Sequence, residues 1–215
     1  MLEDQRRDMV SRQLIGRGIR CPRVLEAIGR VPREEFLDPH SRCSAYADRA
    51  LPIECEQTIS QPYMVALMTE ALTLDGCETV LEIGAGCGYQ TAVLLEMGVE
   101  VISLERHRVL ARRAQDNLRH LGYDRRWVIH IADGTQGWPD AAPYDCILLA
   151  AAAENCPGPL WQQLKEGGIL VAPFGARSQQ MLCAIRKVDG AQKIHEICAC
   201  RFVPLVAGLP FNDVV

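Results

Sequence analysis

The chain has 215 residues, 48% hydrophobic and 23% charged, a balance that fits one folded domain and lies outside the range of disordered chains. Lys plus Arg (23) against Asp plus Glu (27) leaves a net charge of −4, so no general positive field exists to collect nucleic-acid phosphates. The longest apolar run, Cys146 to Ala153, is far shorter than the roughly 20 residues a spanning helix needs, and no membrane span is expected.

The charged start of the chain, Met1 to Val10, lacks the apolar stretch of a secretory signal, so a cytoplasmic protein with reduced thiols is expected despite ten cysteines. No CxxC occurs; Cys198 and Cys200 should share one strand face, which falls short of a zinc site, and no metal is expected. A chain of this size can bury its own core, and a monomer is expected.

In chain order, Asp4 to Arg17 carries Met9, Val10, Leu14 and Ile15 at helical spacing, with Gly16 and Gly18 as a stop. A second helix should open at Cys21-Pro22, with Val24, Leu25 and Ile28 inward. Loop dominates from Pro32 to Gln57, and a third helix is predicted over Pro62–Leu72, with Ser60 just before it as a candidate N-cap. After Asp75-Gly76 short apolar runs alternate with helical periodicity. The predicted sequence is Thr79–Ile83, a helix from Tyr89, Glu100–Leu104, a helix from His107, Trp127–Ile131, Asp145–Leu149, a helix near Pro159 and Ile169–Pro173. Continuous apolar strands alternating with helices imply an α/β fold, a doubly wound and mostly parallel sheet covered on both faces. The end differs: Gln180–Val188 and Lys193–Val203 meet at Asp189-Gly190 and read as an antiparallel hairpin.

The main functional signal is Val80-Leu-Glu-Ile-Gly84-Ala-Gly86-Cys-Gly88-Tyr, a buried strand running through a glycine-rich turn into a helix. In an open α/β sheet ligands bind at the carboxyl ends of the strands near the switch in strand order, where this loop should lie. The spacing is G-x-G-x-G, with Tyr89 where a dinucleotide fingerprint has its last glycine, so GxGxxG is not met. Glu82 at the strand end would repel a pyrophosphate but suit a ligand with ammonium and sulfonium groups, such as S-adenosylmethionine. Glu105 ends the next strand at about the 20-residue separation from which an acid accepts ribose hydroxyls. Asp133-Gly134 follows the third strand and adds a further acid at the same sheet edge. Glu82, Gly84, Gly86, Gly88, Glu105, Asp133 and Gly134 are therefore the candidate cofactor residues.

The segment Val80 to Gln90 resembles the S-adenosylmethionine loop of protein-L-isoaspartate O-methyltransferases. The likeness extends to Ala45-Tyr-Ala-Asp-Arg-Ala-Leu-Pro-Ile53, Gln57-Thr-Ile-Ser-Gln-Pro-Tyr63, Asp133-Gly-Thr-Gln-Gly-Trp-Pro139, Gln162-Gln-Leu-Lys-Glu-Gly-Gly168 and Arg201-Phe-Val-Pro-Leu205. The loop alone marks a broad superfamily, whereas Gln-Thr-Ile-Ser-Gln-Pro and Arg-Phe-Val-Pro-Leu are specific. The resemblance implies a Rossmann-like methyltransferase sheet and methylation of the free carboxylate of L-isoaspartyl residues in damaged proteins and peptides. The resulting ester closes to a succinimide, which starts repair. It also implies one domain over 1–215: a prelude with the active-site loop (1–78), a cofactor-binding core (79–174) and a C-terminal hairpin and tail (175–215). Ser60 takes the substrate-orienting, catalytic position by this resemblance, with Asp48, Thr58, Ile59, Arg201 and Val203 at the substrate. A carboxylate with a pKa of about 4 is already ionised at neutral pH, which accounts for the missing general base.

Three positions depart from the family pattern. Glu54-Cys55-Glu56 replaces a common Gly-x-Gly, Ala150 a common threonine and Cys87 a common serine. A glutamate ~6 Å from the substrate carboxylate at an effective dielectric near 20 would repel it by ~3 kcal/mol, so the acidic stretch is expected either to point away or to shift substrate choice, as toward one dedicated peptide. A protein that keeps the cofactor without catalysis is the alternative from another class. An amino-methylating nucleic-acid enzyme is disfavoured, because no Asn/Asp-Pro-Pro-aromatic segment follows Leu149.

Overall fold

Residues 2–210 are described by the computed structural model; residue 1 and residues 211–215, the end of the expected C-terminal portion, lie outside the described residues. The prelude begins with α1 (Leu2–Asp8), which passes into a π-helical turn, Met9–Leu14, and a 3₁₀ turn, Ile15–Arg17. One regular helix was predicted here; the wider turn instead brings Met9 and Leu14, five residues apart, into the core together. Gly18 ends it in the left-handed conformation (φ 101°), as its sequence position suggested. Next comes α2 (Pro22–Arg30), with proline in its first turn and Val24, Ala27 and Ile28 buried. Two 3₁₀ turns, Arg33–Phe36 and Pro39–Ser44, then lead to a small antiparallel ribbon of β1 (Leu51–Pro52) and β2 (Thr58–Ile59). The third helix, α3, covers Pro62–Ala71.

The body follows the predicted alternation: β3 (Thr79–Ile83), α4 (Tyr89–Glu96), β4 (Glu100–Glu105), α5 (Arg108–His120), β5 (Trp127–Ile131), β6 (Tyr144–Leu149), α6 (Gly158–Gln163) and β7 (Leu164–Ala176). The last pair, β8 (Gln179–Val188) and β9 (Ala191–Cys200), is joined at Asp189 and Gly190, both at positive φ as a tight hairpin turn demands. Strand order in the seven-stranded sheet is β5-β4-β3-β6-β7-β8-β9. The first five strands in chain order run parallel and β8 and β9 are antiparallel additions. The chain therefore winds outward from β3 in one direction, then returns to its other side at β6, and the order reverses between β3 and β6. That reversal opens a crevice at the carboxyl ends of both strands.

Side-chain alternation sorts the core onto the two faces of the sheet. Val80, Val101 and Leu148 pack with the prelude, α4 and α5, while Leu81, Ile83, Leu104 and Ile147 pack with α6 on the opposite face. The final strand departs from expectation. It was predicted to run to Val203 but stops at Cys200, because residues beyond it turn back to the segment after β6: Ala152 N donates to Val203 O (2.8 Å) and Leu205 N to Ala152 O (2.7 Å). The tail thereby lies over the crevice.

Candidate active site

The turn after β3 is held in place by its neighbours. Gly84 N donates to Leu104 O (2.8 Å), Ala150 N donates to Ile83 O (2.9 Å), and Gly84, Gly86 and Gly88 all have positive φ. The glycines divide by role. Gly84 and Gly86 line a cleft of about 1080 Å³, part of it open to solvent, whereas Gly88 does not. A Cβ on Gly88 would sit 3.2 Å from Ala114 Cα, so this glycine lets α5 pack against the start of α4. Gly88 was expected at the cofactor; its bareness serves helix packing instead. Gly134 also lines the cleft, and a Cβ there would collide with Ile83 Cγ2.

The three acids at successive strand ends do different things. Glu105, in the cleft wall, accepts from Gly86 N (Oε2, 2.9 Å) and His107 N (Oε1, 2.9 Å). A carboxylate has about four acceptor sites, so these two amides fix its orientation and leave capacity for two hydroxyls. Asp133 caps the 3₁₀ turn Gly134–Gln136 through Thr135 and accepts from Gly208 N (2.7 Å), which ties the tail to the end of β5. Burial pushes its carboxyl up, but the amides of Gly208 and Thr135, with the Thr135 hydroxyl, outweigh that and hold it below the usual carboxylate range. Its neighbour Gly134 lines the cleft while the Asp133 side chain faces these donors.

Glu82 differs from expectation more sharply. Strand alternation turns its side chain away from the cleft lined by Ile83 and into the face covered by α4, where it is fully buried. Its Oε2 accepts from the hydroxyls of Thr91 (2.6 Å) and Ser103, and Oε1 has no hydrogen-bond partner among the described residues. Burial outweighs the lowering effect of the Ser103 and Thr91 hydroxyls and, with nearby Glu105, leaves the carboxyl pushed up to about 7. An acid buried beneath the loop, its side chain outside the cleft lining, is no counter-ion facing a ligand.

On the other side of the crevice, Thr58 and Ile59 come from β2 and Ser60 from the link to α3. Ser60 does not cap that helix: the N-cap is Gln61, with no side-chain cap bond, and Ser60 instead lines the cleft with Thr58 and Ile59. The tail supplies Val203, Pro204, Leu205 and Val206, and Ala150 stands after β6. A second cavity of about 980 Å³, bordered by Arg201, Phe202 and the β9 residues Cys198 to Cys200, shares Thr58, Ser60, Ala150 and Val203 with the first. The two cavities thus meet at a neck of two hydroxyls and two small apolar side chains.

Asp48 lines neither cavity. It accepts from Arg17 Nη1 (2.8 Å) and Gln61 Nε2 (2.7 Å), both on side chains that border the second cavity, and so positions them. Arg17 also lies over the Tyr63 ring, 3.6 Å from its centroid. Sequence reasoning missed Arg17, Gln61 and Tyr63, since 31 residues separate Arg17 from Asp48; the signal available was an arginine beside Gly18, too common to weigh. The acidic stretch also resolves. Glu54 pairs with Arg113, which Asp38 engages at 3.1 Å, and neither Glu54 nor Glu56 borders either of these two cavities. The acidic stretch was expected either to point away from the substrate or to shift substrate choice; its placement outside both cavities, with Glu54 on Arg113, agrees with the first. Cys87 lines the first cavity as a buried thiol that burial pushes up to about 11, so it presents a neutral S–H.

The first cavity suits a nucleoside: Ile83, Leu104, Ala132 and Leu205 give apolar walls, and Glu105 offers acceptors for hydroxyls.

Comparison with known proteins agrees in detail. Residues 5–209 match the family model for protein-L-isoaspartate(D-aspartate) O-methyltransferase. The chain is 49% identical over 198 residues to protein-L-isoaspartate O-methyltransferase 1 of Syntrophobacter fumaroxidans, covering 92% of each chain. It is 50% identical over 209 residues to protein-L-isoaspartate O-methyltransferase 2 of Marinobacter nauticus, covering 95% of this chain and 94% of that one. Among solved structures, a protein-L-isoaspartate O-methyltransferase superposes with a TM-score of 0.83 at 30% identity over 94% of this chain and 66% of the other. A Plasmodium falciparum chain assigned to the same family and solved with S-adenosyl-L-homocysteine gives 0.82 at 25% identity, over 94% and 98%. With its family model matched almost end to end and relatives near half-identical across their length, the chain belongs to the protein-L-isoaspartate(D-aspartate) O-methyltransferase family.

Proposed function

We infer that this enzyme transfers a methyl group from S-adenosylmethionine to the free carboxylate of L-isoaspartyl residues in damaged proteins and peptides. The observation that carries the reading, beside family membership, is the pair of cavities meeting at Ser60. One has the lining for a nucleoside and the other opens toward the surface beside β9.

When bound, S-adenosylmethionine supplies a methyl group made transferable by its sulfonium. In this reading Glu105 accepts the ribose hydroxyls, Gly84, Gly86 and Gly134 allow close backbone approach, and Asp133 keeps the tail over the cleft. Glu82 and Gly88 support the loop from behind. Thr58, Ile59 and Val203 shape the neck, and Ser60 donates a hydrogen bond that orients the acceptor carboxylate. Arg201 borders the acceptor cavity and Asp48 acts through the side chains it holds. No base is required, because the acceptor is ionised at neutral pH. Alignment and removal of water at the neck then supply the acceleration, effects worth several kcal/mol.

A monomer acting on peptide and not nucleic acid fits the net charge and the scatter of exposed large apolar side chains over separate elements, among them Ile15, Val109, Val128 and Ile194. A reducing, cytoplasmic setting suits its ten thiols. Among the described residues no helix is long and apolar enough to cross a membrane.

The test uses labelled S-adenosylmethionine and two peptides of one sequence, one with an isoaspartyl and one with a normal aspartyl linkage. Base-labile label on the isoaspartyl peptide alone is expected. Label on neither, with cofactor binding intact, would overturn the reading.

A further inference from the structure

The charged side chains that border the second cavity are both cationic, with Arg17 ion-paired to Asp48, which itself borders neither cavity. Although the protein carries a net −4, the charged side chains among the described residues bordering this cavity are Arg17 and Arg201, with no Asp or Glu. Arg201 follows the last strand and is exposed. Arg17 is instead built into place. Asp48 holds Nη1 at 2.8 Å, Gln61 fixes Asp48 from its other oxygen at 2.7 Å, and Arg17 Cζ lies over the Tyr63 ring, 3.6 Å from its centroid. Stacking uses the face of the guanidinium and leaves its donors in the plane, where a carboxylate binds. The Arg17 side chain is 43% exposed, so it is reachable from the cavity.

We propose that Arg17 is the residue by which this cavity recognises the negative charge of the acceptor. The inference rests on the functional reading above and deepens it: Arg17 selects an anionic peptide side chain, and Ser60 at the neck orients it. Methylation removes that charge, since the carboxylate becomes a neutral ester, so the same contact that favours substrate ceases to hold product. Arg17 therefore contributes to substrate affinity and to release, while the cofactor cleft, which Arg17 does not border, is left alone.

The experiment compares two peptides on the enzyme loaded with S-adenosylhomocysteine, one carrying the isoaspartyl carboxylate and one the corresponding carboxamide, by calorimetry. Wild type should bind the carboxylate about tenfold more tightly than the amide, as a charge-assisted hydrogen bond allows. In Arg17→Gln that preference should fall to about twofold, with amide affinity and S-adenosylhomocysteine affinity unchanged, and Arg17→Lys should restore part of it. Equal weakening of both peptides in Arg17→Gln, or full retention of the preference, would overturn the inference while wild-type methylation of the isoaspartyl peptide leaves the functional reading standing. Wild-type enzyme that methylates neither linkage would overturn both.

Discussion

Asp133 Oδ2 accepts a hydrogen bond of 2.7 Å from the amide of Gly208, 75 residues further along the chain. Through this contact the acid at the end of β5 holds the tail whose Leu205 and Val206 wall the cofactor cleft. Removing the carboxylate with Asp133→Ala should loosen that wall, and S-adenosylhomocysteine affinity should fall about tenfold, consistent with loss of one charge-assisted hydrogen bond. Calorimetric titration checks it; unchanged affinity would mean that the tail is held by other contacts. The Asp133 carboxyl is held below its usual range. Its contribution is therefore complete above the unfolded value near 3.8 and is lost only as pH falls through the lower folded value.

Glu82 gives the opposite pH signature. Its carboxyl is pushed up to about 7 by burial, above the model-peptide value of 4.5. The folded state therefore binds this proton more tightly than the unfolded state, and the stability it contributes is full below about 4.5 and lost as pH rises through about 7. Glu82→Gln should remove this dependence, so the stability difference between variant and wild type should shift toward the variant by about 3 kcal/mol between pH 4.5 and 8. Urea denaturation at a series of pH values measures it. Parallel curves for the two proteins would show that Glu82 ionises as in water.

At Gly88, φ is 91° and an added Cβ would lie 3.1 to 3.3 Å from Ala114. Gly88→Ala should cost about 2 kcal/mol of stability, from the left-handed backbone and the pressure on α5 together. Thermal unfolding reads the loss. A variant with wild-type stability but weaker cofactor binding would return Gly88 to the cofactor site.

Cys55 and Glu56 both occupy left-handed backbone, at φ 56° and 57°, in the turn between β1 and β2. Of the two, Glu56 stands where the family pattern has glycine. Glu56→Gly should stabilise the protein by roughly 0.5 kcal/mol, the relief of backbone strain being partly offset by a freer unfolded chain. Because Glu56 borders neither cavity, KM for the isoaspartyl peptide should stay within about twofold, as for an ordinary surface substitution. A large fall in KM would show that its charge does reach the substrate.

These residues also mark how far the sequence could be read. The strands came through because each is a short, mostly apolar run: β3 falls at Thr79–Ile83 and β5 at Trp127–Ile131, as predicted. Glu105 and Gly134 lie in the cleft wall, at the sheet edge where the sequence put them, because the end of a strand fixes where the next few residues lie. Glu82 went to the other face because alternation, one residue from the glycine turn, outweighs proximity, and its partners Thr91 and Ser103 come from two other elements. Arg17 and Tyr63 escaped notice for a similar reason. Their stack brings the turn Ile15–Arg17 against α3, 46 positions apart in sequence, and no local periodicity encodes it. The end of β9 was misplaced because Arg201 to Val203 keep an extended pattern while exchanging one partner strand for Ala152.

Ser60 is one of the four residues at the neck where the two cavities meet, and the role proposed for it is central to the account. The most direct measurement is the kinetics of Ser60→Ala on an isoaspartyl peptide, together with its affinity for S-adenosylhomocysteine. A fall in kcat of roughly 10- to 100-fold with cofactor affinity within twofold is predicted, the scale of one hydrogen bond formed at the reacting group. Unchanged kcat, or an equal loss of cofactor affinity, would contradict it.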